Sequence, residues 1–88
     1  MPYIVKSQRP EIDRLLEPLI AHLKKQHTEV VDGQINYIIT RILNGLYQPK
    51  YFNYNRAIGV LEAAKQEFYR RHVAPYEDKR ENEEGDVA

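Results

Sequence analysis

The stretch Gln34-Ile35-Asn36-Tyr37-Ile38-Ile39-Thr40-Arg41-Ile42-Leu43-Asn44-Gly45-Leu46 decides the fold. Its aliphatic residues fall at 35, 38, 39, 42, 43 and 46. Steps of three and four put them on one helical stripe, whereas the adjacent pairs 38/39 and 42/43 break the strict alternation of a half-buried strand. Isoleucine favours strands, but periodicity outweighs that propensity. Asp32-Gly33 offers an N-cap, and Pro49 biases Gln48 away from helical geometry, so the spacing predicts a helix over 32–47.

Upstream, a short apolar arm, Tyr3-Ile4-Val5, precedes a second periodic segment with Ile12, Leu15, Leu16, Leu19, Ile20 and Leu23. This reads as an amphipathic helix over 10–26, opened by Pro10 and closed by the cations Lys24 and Lys25. Pro18 lies inside it. Having no N–H for the Arg14 carbonyl, it predicts a kink or two shorter pieces, or about 3 kcal/mol of cost in a continuous helix.

Downstream, the connector from Tyr47 to Asn55 is rich in aromatics, and Asn53 or Asn55 can cap a third helix over 55–74 carrying Ile58, Leu61, Ala64 and Phe68. Glu67 and Arg71 stand at i,i+4 on it. Pro75 opens a short fourth piece, Tyr76 to about Arg80, before an acidic tail. The expected architecture is therefore an all-α, compact three-helix domain over 1–80, with a short extended N-terminal arm and an acidic, partly disordered, flexible tail over 81–88. Its expected core is Leu16, Leu19, Leu23, Ile35, Ile38, Ile42, Leu61 and Phe68, and the arm either covers that core or reaches a second subunit.

Composition narrows the chemistry. With 88 residues there is room for one small domain whose own core is thin, which makes partner contacts an inexpensive source of stability. The absence of cysteine excludes disulfides, thiol nucleophiles and thiolate metal sites. No leader pattern opens the chain and no apolar run approaches the ~20 residues of a membrane span, so a cytoplasmic protein with no membrane partner is expected. The net charge of zero conceals an asymmetry: residues 77–88 carry six acids and two bases, leaving 1–76 at +4.

Catalytic motifs are lacking. His22 and His27 are five apart and point about 140° away from each other on one helix, unlike the i,i+4 pair of a metal-binding helix. All-helical nucleotide pyrophosphohydrolases hold Mg²⁺ with acids spaced i,i+3 on facing helices. Here Glu62 and Glu67 do not have that spacing, and Glu81 and Glu84, which do, lie in the tail. No phosphate-binding loop or nucleophile elbow occurs. No catalytic residue, metal set or cofactor is assigned.

Three softer features remain. Asn36, Thr40 and Asn44 recur every four residues with Tyr37 and Arg41 beside them, a polar but nearly uncharged face suited to a partner or ligand. The connector aromatics Tyr51, Phe52 and Tyr54 extend these contact candidates. Gly59 and Ala63, four apart, allow close approach of another backbone, within the domain or across a two-fold axis of a dimer. Lys65, Arg70 and Arg71, with Phe68 and Tyr69 among them, form a basic and aromatic cluster able to contact phosphates and stack bases, and the acidic tail could fold back onto it.

The wording of 34–41 and of Ile58-Gly59-Val60-Leu61-Glu62-Ala63-Ala64-Lys65-Gln66-Glu67-Phe68-Tyr69-Arg70-Arg71, followed by Ala74-Pro75-Tyr76-Glu77-Asp78-Lys79 and Gly85-Asp86-Val87, resembles a family of small uncharacterised helical proteins from phages and bacteria. The resemblance implies a helical domain in a cytoplasmic, phage-related setting and carries over no site residues. The leading functional expectation is a non-enzymatic interaction or assembly module, self-associating as a homodimer and open to a protein partner. The alternatives are a nucleic-acid-associated regulator and a nucleotide pyrophosphohydrolase-like enzyme.

Overall fold

The computed structural model describes residues 3–87, and it is helical almost throughout. A 3-10 turn, Lys6–Gln8, leads into α1 (Arg9–Lys24); α2 (Thr28–Leu46) and α3 (Tyr51–Phe68) follow. A π-helical turn, Tyr69–Val73, then connects α3 without interruption to α4 (Ala74–Glu84). Among the described residues there are thus three helical segments and no strand. The all-α expectation holds. The contacts divide the chain after Tyr54 into two units, each taken by itself below.

In the first unit, Val5 is extended, as expected of the arm. The arm is tied down locally: Arg9 donates from Nε and Nη2 to the Ile4 carbonyl at 3.2 and 3.0 Å, and the Gln8 N–H donates to the Val5 carbonyl at 3.0 Å. α1 is one continuous helix of 16 residues with Pro18 inside it, so neither splitting nor termination follows from the proline. The last turn tightens, with Lys25 N–H on the His22 carbonyl and Gln26 N–H on that of Leu23, and the Gln26 side chain also donates to His22 O at 3.3 Å. Carbonyls left over at a helix end thereby find donors.

α2 starts at Thr28, four residues before the expected boundary, which corrects the assignment of Asp32 as its cap. The extended His27 ends the turn, and its carbonyl accepts from Val30 and Val31 N–H at 2.9 and 3.0 Å. Backbone geometry starts the helix here without a side-chain cap, while Glu29 favours the positive end of the dipole. α2 stops at Leu46, where Tyr47 turns extended ahead of Pro49. The expected connector is also shorter than 47–55. Tyr51 already begins α3, the Tyr54 N–H donates to the Lys50 carbonyl at 2.9 Å, and Asn53 Nδ2 donates back to the Gln48 carbonyl at 3.3 Å instead of capping.

In the second unit, Pro75 ends nothing. Its missing N–H and ring would disrupt an α-helical bond to the Arg71 carbonyl, and the backbone answers by widening the preceding turn. The Ala74 N–H reaches the Tyr69 carbonyl, one residue beyond the α-helical partner, and the helix continues. α4 runs to Glu84, carrying Glu81–Glu84 beyond the expected end at Arg80, with Arg80 and Glu84 paired at i,i+4. Gly85, at φ 91°, closes it in a conformation that side chains disfavour. Ala88, the last residue of the expected tail, lies outside the described residues.

The largest departure concerns the core. Ala57 is the buried apolar residue among those described; α1 and α2 contain none. Of the expected core, Leu19, Leu23, Ile38 and Leu61 are half-buried, while Leu16, Ile35, Ile42 and Phe68 are exposed. The stripes exist as read, but within the first unit α1 and α2 do not bury them. Amphipathic spacing identifies which face is apolar and leaves open whether the same chain supplies its cover.

Candidate functional site

The short turn between α1 and α2 builds an open helical hairpin. Leu19, His22 and Leu23 of α1 face Val30, Gly33, Gln34, Tyr37 and Ile38 of α2 across a cleft of about 430 Å³. A second cleft of about 420 Å³ flanks the junction, with Ile20, Leu23, Val31 and Ile35 supplying its apolar wall. The helices do not pack against each other along their lengths, so the stripes beyond these clefts stay exposed. Gln34 contributes a side-chain oxygen that is shielded from solvent and accepts no hydrogen bond. Gly33, inside α2, leaves open space: a Cβ there would meet no atom within 4 Å.

The expected polar face of α2 forms along one exposed side. Thr40 Oγ1 donates to Asn36 Oδ1 at 3.4 Å, and Arg41 Nη1 donates to the Tyr37 hydroxyl at 3.5 Å. Asn44 is exposed beside them. Tyr51, Phe52 and Tyr54 belong to the first turn of α3, and all three are exposed. Gly59 has open space where a Cβ would stand, and Ala63 is half-buried.

The basic cluster looks different once its partners are placed. Lys65 Nζ lies 3.7 Å from Glu62 Oε1, Arg70 reaches both carboxylate oxygens of Glu67 at 2.9 and 3.1 Å, and Arg71 Nε lies 3.7 Å from Glu67. The expected Glu67–Arg71 pair thus forms, and Arg70 shares it. Three largely exposed cations stand against two carboxylates, Glu67 half-buried and Glu62 exposed, and surface pairs of this kind contribute only about 0–1 kcal/mol each. Phe68 and His72 stack obliquely, ring centroids 5.0 Å apart.

Tyr69 links the π turn to α4: its hydroxyl donates to Glu77 Oε1 at 2.6 Å. That bond and the charge of Glu77 raise the Tyr69 pKa above its ordinary value of 10.0. A phenol that holds its proton more tightly in the folded state contributes stability fully below the ordinary value, and the contribution is lost as pH rises through the folded one. Glu77→Gln should bring Tyr69 back toward 10.0, the value from which it is raised, followed by the ring resonances of Tyr69 in an alkaline NMR titration. An unchanged titration would mean that Glu77 is not its partner.

No group of three His, Asp or Glu side chains among the described residues comes together as a metal site would need. No helix among them is long and apolar enough to cross a membrane. Compared with protein families, residues 1–87 match the model described as "Domain of unknown function (DUF6899)". The chain belongs to the DUF6899 family. No curated protein and no solved structure matches it. The DUF6899 match spans the arm, all four α-helices and the expected tail as far as Val87, so the open hairpin and the cation–glutamate cluster both lie inside the family's own domain.

The residues that sequence reasoning did not combine are His22, Gly33 and Gln34. His22 is read there only through its spacing from His27, and Gly33 only with Asp32 as a helix start; the clefts become legible only when α2 starts at Thr28. The available signal was the shortness of Lys25-Gln26-His27, which forces an antiparallel neighbour or an open hairpin.

Proposed function

We propose that this DUF6899 chain is a small, non-enzymatic helical interaction and assembly module that acts as a homodimer. The observation that supports this reading is the surface of α1 and α2: neither helix buries a residue, although both carry continuous aliphatic stripes. Each half-exposed Leu or Ile covered on association is worth about 1 kcal/mol, half the transfer value of a full side chain. The polar side of α2, with Asn36, Tyr37, Thr40, Arg41 and Asn44, and the aromatic start of α3, with Tyr51, Phe52 and Tyr54, are the contact groups for a further protein partner. The cytoplasmic, phage-related setting implied by the sequence resemblance belongs with this proposal.

The test separates apolar from phosphate-driven association. Light scattering between low and high salt should give a mass that stays constant or rises, because burial of apolar surface is not screened. A labelled single-stranded oligonucleotide should bind more weakly than the ~1–100 µM range of non-specific nucleic-acid binders. Tighter binding that falls steeply with salt would overturn the proposal in favour of a nucleic-acid-associated regulator using Lys65, Arg70 and Arg71. The pairing of those cations by Glu62 and Glu67 is what argues against that alternative. A pyrophosphohydrolase would need Glu62 and Glu67 to meet further acids, whereas here they pair with Lys65, Arg70 and Arg71.

A further inference from the structure

We propose that the second copy docks on one particular face: the open α1–α2 hairpin closes against the same hairpin of its partner, α1 lying antiparallel to α1 across a two-fold axis. This rests on the self-association proposed above and assigns its surface. The cleft walled by Ile20, Leu23, Val31 and Ile35 is the seat. From it an apolar stripe continues along α1 through Leu16 to Ile12, with Leu15 beside it. Another continues along α2 through Ile39 and Ile42 to Leu46.

The area agrees with a dimer. These exposed side chains, from Ile39 at 39% to Leu46 at 73%, are on average about half accessible. At roughly 100 Å² per aliphatic side chain they offer about 400 Å² per copy. Two copies contribute about 800 Å² of apolar surface, which at the ~65% apolar share of homodimer interfaces corresponds to about 1,200 Å² in total. That reaches the range of specific, stable interfaces, about 1,200–2,000 Å². Half-buried Leu23 and Val31 wall the seat itself and add to it.

Charge sets the direction. Residues 9–17 of α1 carry Glu11, Asp13 and Glu17 against Arg9 and Arg14, a net charge of −1, whereas Lys24 and Lys25 stand at its end. An antiparallel α1 pair brings each net-negative 9–17 stretch opposite the partner's Lys24 and Lys25 and opposes the two helix dipoles; a parallel pair would place the lysines together and align the dipoles. A two-fold axis makes the surface self-complementary, as one face used by both copies requires.

The experiment compares Leu16→Asp and Ile39→Asp with Phe68→Asp, whose residue is exposed but lies outside the hairpin. The full chain of each is followed by sedimentation, with circular dichroism reporting helix content. The hairpin variants should lose at least tenfold in dimer affinity while Phe68→Asp stays within about twofold of the wild type. If an aspartate variant loses its helices, Leu16→Ala and Ile39→Ala supply the comparison with the same expected direction. A wild-type chain that is monomeric throughout would overturn the self-association reading itself. A wild-type dimer weakened by Phe68→Asp and not by the hairpin variants would leave that reading standing and overturn the surface assigned to it.

Discussion

The thermal midpoint of this protein should rise with its own concentration, by about 6–10 °C over a hundredfold range. A chain that completes its apolar burial only on association unfolds as two chains from one particle, so mass action enters its stability. Each tenfold increase in concentration adds about 1.4 kcal/mol per dimer, and for an assembly of this size each kcal/mol moves the midpoint by roughly 2–4 °C. The effect follows from the exposed stripes of α1 and α2, with Ala57 the buried apolar residue that the described chain supplies for itself. Scanning calorimetry at several concentrations checks it. A midpoint independent of concentration would mean that a single chain is the folding unit.

Removing the proline from α1 should give the largest gain of any single substitution. Pro18 sits inside a continuous helix, where the Arg14 carbonyl has lost its N–H partner and the ring crowds the preceding turn. Such a proline costs about 3 kcal/mol relative to alanine, of which roughly 1 kcal/mol is offset because it also restricts the unfolded chain. Pro18→Ala should therefore stabilise each chain by about 2 kcal/mol, moving the midpoint of a dimer upward by roughly 10 °C. The readout is thermal unfolding by circular dichroism at one fixed concentration. A lower midpoint would mean that Pro18 is itself used in packing against the partner, because the local helix energetics can only improve.

Pro18 also marks where sequence reading stops short. Its local chemistry is legible, but whether the chain breaks or absorbs the cost depends on what the finished helix packs against. Pro75 presents the same missing N–H with another outcome: the Ala74 N–H moves to the Tyr69 carbonyl, and a π turn preserves the helix that an α-helical count would end. The helical character of 35–46 was readable because adjacent aliphatic pairs cannot alternate. Its start was not, since Asp32 is a good cap by type while His27, which begins the helix through its backbone, carries no such side-chain signal.

The candidate site was legible in the same uneven way. Helical spacing alone predicts that Asn36, Thr40 and Asn44 share a side of α2 and that Glu67 meets Arg71. It equally places Leu16, Ile35 and Ile42 on apolar faces. Burial is a different matter, because a residue's place on a helix is set by its number, whereas its cover is set by whichever surface arrives. The basic cluster was readable as a cluster; its near-neutrality needed the positions of Glu62 and Glu67 relative to Lys65 and Arg70.

The most direct test of the central claim is native mass spectrometry of the full chain in ammonium acetate at micromolar concentration. The account predicts a particle of twice the 10.4 kDa chain mass, with no added mass, that separates into single chains on mild denaturation. A single-chain particle at every concentration would contradict it, as would a dimer that retains a small molecule needed to hold it together.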